Sequence, residues 1–263
     1  MAEQASADPD RTLALLADMA AAADRRMAAL AARLAGRLAL DLARAGATSV
    51  GGVGRLEPAR ADRCTGDIDI DRSLDGLLEA RAAGRPWTLE ELWVQRWQRP
   101  ATAITLVVDR SGSMGGPRLA AAAVAAAACA LRAPQEWSAL AFGDRVVAVK
   151  SVDRDRPAAA VVDDVLRLRG YGTTDLAAAL YAARVQLERC TAPRRVALLL
   201  SDCRATAGSD PLAAARRLDE LCVIAPASDA ADAEAFSAAA GARFAAIAGL
   251  RSIPDAVASV LDG

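Results

Sequence analysis

From residue 101 onward the chain alternates short apolar runs with helical stretches, and this alternation constrains the fold more than any other feature. Residues 103–108, apolar but for Thr105, read as a strand buried on both faces. Residues 118–133 read as a helix. Trp137–Phe142 and Val146–Lys150 read as two strands about a Gly143-Asp144 turn. Helical patterns at 157–168 and 175–188 precede a second buried strand at 196–200. A helix at 211–221, a strand at 222–225, a helix at 229–240, a strand at 243–247 and a helix at 254–261 complete the series. Strands that are apolar on both sides need helices on both sides. The pattern therefore predicts an α/β fold, a doubly wound, mostly parallel sheet flanked by helices. In such sheets ligands sit at the carboxyl ends of the strands, beside the point where strand order reverses.

The segments before this domain, taken as 101–263, are of three kinds. Residues 1–46 read as an N-terminal helical extension. Within it Leu13, Leu16, Met19, Met27, Leu30, Leu34 and Leu38 recur at helical spacing over 12–46, interleaved with Arg25, Arg26, Arg33 and Arg37. A membrane-surface helix would need aromatic anchors, which are missing, so packing on the rest of the protein or on a partner is expected. Residues 47–66, with Gly51, Gly52, Gly54 and Pro58, read as a linker. Residues 67–100 read as a strand and helix segment. Asp67, Asp69 and Asp71 alternate as in a calcium loop, but Arg72 and Leu78 stand where that loop needs Gly and Glu. A short strand leading to a helix at 73–83, capped by Ser73, is expected instead. Pro86 and Trp87 mark a turn and 88–91 a helix start, which would place Trp93 and Trp97 on one helix face.

Composition removes whole classes of function. There is no histidine, which excludes a Ser-His-Asp triad, a His-based zinc site and a His general base. Lys150 is the only lysine and lacks the glycines of a phosphate-binding loop, so the chain is not itself a P-loop ATPase. A net charge of −1 provides no basic field for nucleic acid. The five cysteines, Cys64, Cys129, Cys190, Cys203 and Cys222, include no CxxC pair, and reduced thiols in a cytoplasmic protein are expected. The N-terminal residues are acidic where a secretory signal is basic. The longest apolar run, 119–131, is mostly alanine and shorter than the roughly 20 residues of a membrane span.

The chemistry concentrates after the strands. The first buried strand ends in Asp109-Arg110-Ser111-Gly112-Ser113, which sets one carboxylate and two hydroxyls on a single loop before a helix. These are hard oxygen donors suited to Mg²⁺ or Mn²⁺. Two further loops can add oxygens at the same edge: Gly172-Thr173-Thr174-Asp175, and Ser201-Asp202-Cys203. Any one of these could simply cap a helix; the three in this order are more specific.

On these residues the last three-fifths of the chain resembles a von Willebrand factor A (VWA) domain, a Rossmann-like fold, with a metal-ion-dependent adhesion site. Asp109, Ser111 and Ser113 match the family's Asp-x-Ser-x-Ser motif, Thr174 its second-loop threonine (Thr173 being the second choice) and Asp202 its third-loop aspartate. The resemblance implies a divalent cation held directly by Ser111, Ser113 and Thr174, with Asp109 and Asp202 acting mainly through water. A partner's Asp or Glu would complete the coordination. With the upstream Asp69-Ile70-Asp71-Arg72-Ser73-Leu74 segment, the chain resembles CoxE-like bacterial proteins and, more distantly, the D subunit of magnesium chelatase, whose ATPase-like module it lacks. Such proteins work with a MoxR-type AAA+ ATPase on a client protein. The implied function is a non-catalytic adaptor in client remodelling or metal insertion. A stand-alone adhesion module is the alternative, and a metal-dependent hydrolase with Asp175 or Asp144 as base a remote one. Cys203 is expected to be a buried structural thiol, and Arg110 to point outward toward an acidic partner.

Overall fold

A computed structural model of the chain describes residues 8–20, 25–47, 55–62, 66–98, 101–110, 116–169 and 172–262. In chain order its elements are α1 (Pro9–Ala20), α2 (Arg25–Ala47), β1 (Arg55–Arg60), β2 (Asp67–Asp69), α3 (Ile70–Ala82), β3 (Trp93–Gln98), β4 (Thr102–Asp109), α4 (Gly116–Arg132), β5 (Trp137–Phe142), β6 (Val146–Lys150), α5 (Ala158–Leu166), α6 (Leu176–Leu187), β7 (Arg194–Leu200), α7 (Pro211–Ala215), β8 (Glu220–Pro226), α8 (Ala231–Ala240), β9 (Arg243–Ile247) and α9 (Ile253–Asp262). They divide into two units, Met1–Val50 with Ala101–Gly263, and Gly51–Pro100.

The larger unit is built on a six-stranded sheet in the order β6-β5-β4-β7-β8-β9. All neighbours are parallel except the β5–β6 hairpin. The expected doubly wound α/β sheet is therefore present. Alternation along β4 sends Ile104, Leu106 and Val108 toward α4, α5 and α9. Ala103 and Val107 face the layer of α6, α7 and α8 instead. Both faces of the central strands are thus covered, as their largely apolar sequences require, and the polar exception inside β4, Thr105, is buried with its hydroxyl 2.9 Å from that of Ser138. Strand order reverses about β4, so the carboxyl ends of β4 and β7 flank the natural crevice.

The N-terminal region adds a layer outside the sheet's helices. It forms two helices rather than one; residues 21–24, between them, lie outside the described residues. Leu13, Leu16 and Ala17 of α1 and Ala35, Ala39 and Ala43 of α2 are buried in the same core as α4, so these helices pack on the rest of the protein. This explains the alanine run. Leu119 through Ala130 are buried on every side, between the sheet and the N-terminal pair. A helix that is apolar all round is a core helix, and methyl side chains let its neighbours approach closely. One boundary differs from expectation. The helix at 211–221 ends at Ala215, because Leu221 is drawn into β8 opposite Ala197.

The smaller unit holds a three-stranded antiparallel sheet, β1-β3-β2, with α3. Three readings are corrected here. Residues 55–60, inside the expected linker, form a strand paired with β3. Trp93 and Trp97 lie on that strand, not on a helix. A spacing of four fits both periods, and the helix started at Thr88 stops after one 3₁₀ turn, with Glu91 accepting the Thr88 N–H at 2.7 Å. Trp93 is held under Arg60, 4.2 Å from its ring centroid; the Trp97 side chain lies outside the described residues. Finally, α3 is capped by Asp69, which accepts the Arg72 N–H at 3.1 Å. Ser73 lies inside the helix, buried, donating to the Asp69 carbonyl at 2.6 Å and accepting the Trp93 N–H at 2.8 Å.

Candidate functional site

Parallel pairing aligns Val108 of β4 with Leu200 of β7, so the next residues, Asp109 and Ser201, emerge side by side at the carboxyl edge. Asp109 is only 7% exposed, and its Oδ2 accepts a hydrogen bond from Ser201 Oγ at 2.7 Å. Ser201 is itself fixed. Its N–H donates to the Ile224 carbonyl at 3.2 Å, and its Oγ accepts the Cys203 N–H at 2.9 Å. Its hydroxyl proton is thereby aimed at the carboxylate. A buried carboxylate requires such donors, since leaving it unsatisfied costs several kcal/mol. Ser201 is thus a residue of the candidate site that the motif did not assign. Its signal was a hydroxyl immediately after the strand that pairs with β4.

Thr174 is buried on the loop before α6. Its N–H donates to Thr206 Oγ1 at 2.9 Å, and its carbonyl accepts the Thr206 and Ala207 N–H groups at 3.1 and 3.2 Å. The following Asp175 caps α6 by accepting the Ala178 N–H at 2.9 Å, and its own N–H donates to the Gly143 carbonyl at the end of β5. Gly208 lies against this carboxylate with φ at +91°, a conformation that suits glycine, and an added methyl would run into Asp175. The Thr174 loop is therefore stitched both to the β5–β6 turn and to the loop after β7.

Asp202 begins the third loop. Its Oδ1 accepts the Arg204 N–H at 3.1 Å, and its Oδ2 lies 3.8 Å from Arg118 at the start of α4. Arg118 also reaches Asp229 at 3.9 Å, while Arg204 pairs with Asp229 and Asp232 at 2.6 Å each. This charged rim borders a small cleft of about 40 Å³ lined by Asp109, Arg118, Ser201, Asp202 and apolar neighbours. Ser111 and Ser113 lie outside the described residues. Among the described residues no group of three His, Cys, Asp or Glu side chains is placed to hold a metal. What this cleft offers is hard oxygen of the kind Mg²⁺ or Mn²⁺ takes, the Asp109 and Asp202 carboxylates, while Thr174 lies on the loop tied to the one after β7. The donor chemistry fits those ions.

Arg110 does not point outward. It is buried, its guanidinium 3.7 Å from Asp144 and its N–H on the Phe142 carbonyl at 2.8 Å. The pairing across the β4 and β5 ends draws it inward, where a buried guanidinium needs a carboxylate. Cys203 is buried, adopts φ of +61°, and its thiol is pushed up to about 12, first by burial and then by Asp202 and Asp109. It remains a protonated thiol packed in the core under the loop. No helix among the described residues is long and apolar enough to cross a membrane.

No curated protein matches the chain in sequence. Solved structures resemble it at low identity. An aerotolerance-related membrane protein from Bacteroides fragilis aligns with a TM-score of 0.50 and 11% identity, covering 61% of this chain and 98% of that one, which shows a shared fold. Proximal thread matrix protein 1 from the mussel byssus gives 0.48 and 13%, covering 62% of this chain and 47% of its own. A von Willebrand factor type A protein from Catenulispora acidiphila gives 0.48 and 15%, covering 61% and 42%. The chain thus spans less than half the length of these last two. A family model described as VWA domain containing CoxE-like protein matches residues 42–252, most of the sequence, and the chain belongs to that family.

Proposed function

We propose that the protein is a non-catalytic adaptor that binds Mg²⁺ or Mn²⁺ at the carboxyl edge of its sheet. Through that metal it grips an acidic residue of a client protein in the cytoplasm, and it works with a MoxR-type AAA+ ATPase in remodelling or metal insertion. The observation that supports this reading is the placement of Asp109 and Asp202 on one cleft at the switch point of a VWA sheet, with the Thr174 loop bonded to the loop after β7. The motif adds the Ser111 and Ser113 hydroxyls to the ligand set. A bound cation there supplies a Lewis-acidic position that attracts a carboxylate. The chain's residues hold it: Asp109 with Ser201 behind it, Asp202 at the rim and Thr174 on its anchored loop. The two carboxylates that a hydrolytic reading would name as base, Asp175 and Asp144, cap α6 and pair with Arg110, which favours the binding reading.

The direct test is titration of the full chain with Mg²⁺ and Mn²⁺, followed by capture of a MoxR-type ATPase and its client from native extract. Expected are metal binding in wild type, its loss in Asp109→Ala, and capture that EDTA and the same substitution abolish. Wild type that binds neither ion, or capture indifferent to EDTA, would refute the metal-gripping adaptor.

A further inference from the structure

The smaller unit exposes an apolar row beside an acidic row on one helix. Helix α3 packs through Ser73, Gly76 and Ala80. Ser73 is bonded to Trp93, Ala80 is buried, and a methyl on Gly76 would lie 3.2 Å from Glu91. Successive residues turn about 100° around a helix, so every fourth residue forms a row. The row beside the packed face is Ile70, Leu74 and Leu78, which are 69%, 48% and 52% exposed. The next row is Asp71, Asp75 and Glu79, all exposed. Ile68, Trp87 and Leu89 are also exposed, whereas the buried residues of this unit among those described are only Ser73, Ala80, Leu92 and Val94. Scattered exposed hydrophobes are ordinary; an aligned row of three beside an aligned acidic row is an arrangement suited to an amphipathic partner.

We infer that this face binds an amphipathic helix of a partner protein whose apolar stripe is bordered by Lys or Arg. Charge selects that occupant. Between Asp67 and Glu91 seven carboxylates stand against three guanidinium groups, Arg72, Arg81 and Arg85. Arg72 is paired to Asp69 and Arg85 to Glu91. An anionic lipid surface meets repulsion along the acidic row. A second copy of the chain presents the same acids, and in an antiparallel pairing the two rows fall on the same side. A basic amphipathic helix satisfies both rows at once, its apolar side chains on Ile70, Leu74 and Leu78 and its cations on Asp71, Asp75 and Glu79.

The test uses the full chain and two labelled synthetic helices with the same leucine face, one bordered by Lys and one by Glu, read by fluorescence anisotropy. The Lys peptide is expected to bind at least about tenfold tighter than the Glu peptide. Leu74→Ser with Leu78→Ser should remove binding. Asp71→Arg with Asp75→Arg and Glu79→Arg should reverse the preference. All these positions are exposed, and circular dichroism checks that the variants fold. EDTA and Asp109→Ala should leave peptide binding unchanged, which separates this face from the metal edge. Equal binding of the two peptides, or binding indifferent to the leucine substitutions, overturns the proposal. So does binding lost with EDTA, tighter binding to anionic phospholipid vesicles, or self-association in sedimentation that the leucine substitutions abolish.

Discussion

Ser201 controls how the Asp109 carboxylate presents itself, because its hydroxyl is clamped between the Cys203 N–H and Asp109 Oδ2. Ser201→Ala removes a donor from a buried charge, which costs about 1–3 kcal/mol. We expect urea unfolding to show that loss and calorimetric Mg²⁺ titration to show weaker binding. Ser201→Thr, which keeps the hydroxyl, should restore metal binding. An alanine variant with wild-type stability and affinity would mean that the hydrogen bond has no part in holding the site.

At the scale of elements, the N-terminal pair is structural cover for α4. Leu13 of α1 is fully buried in the core that contains the alanine run. Leu13→Ala should therefore cost about 2–5 kcal/mol, the range for a leucine cavity that its surroundings cannot refill. Thermal or urea melts check this, and a change below about 0.5 kcal/mol, the size of an ordinary surface substitution, would show that α1 is not part of the cooperative core. The β-hairpin and the helix starts obey local rules, but local rules conflict at 88–97. There a capping pattern calls for a helix, while β1 and β2 both claim the following residues as a strand. Two strands' worth of backbone hydrogen bonds prevail over one turn of helix.

For the molecule as a whole, acid is the expected route to loss of stability. Glu220 is held below its ordinary range, chiefly by the hydrogen-bonded Arg194 guanidinium at 2.8 Å and further by Arg243, against an opposing effect of burial. Burial pushes Glu136 upward, but hydrogen bonds from Thr191 and Ala192 outweigh it and the net direction is down. A carboxyl whose folded value is depressed stabilises the fold above its unfolded value and loses that contribution as pH falls through the folded value. Stability should therefore decline as pH drops below the ordinary carboxylate range. Glu220→Gln should lower stability near neutrality and flatten that decline, as read by urea melts across pH. An unchanged slope would mean that these pairs form equally in the unfolded chain.

The fold class was legible because buried parallel strands must be apolar on both faces, and 103–108, apart from Thr105, and 196–200 are. Residue order alone also set Asp109, Thr174 and Asp202 after strands or before helices, where a sheet edge collects them. Tertiary structure decided the rest. Whether the alanine helix met solvent, lipid or protein depended on α1 and α2 closing over it. The fate of Arg110 depended on Asp144 across a neighbouring strand, and the use of Ser201 depended on the register of β4 with β7. The strand at 55–60 and the stacking of Arg60 on Trp93 depended on partners more than 30 residues away. Periodicity reports what a segment must bury. It carries no information about which distant surface does the burying, because that is fixed only when the whole chain packs.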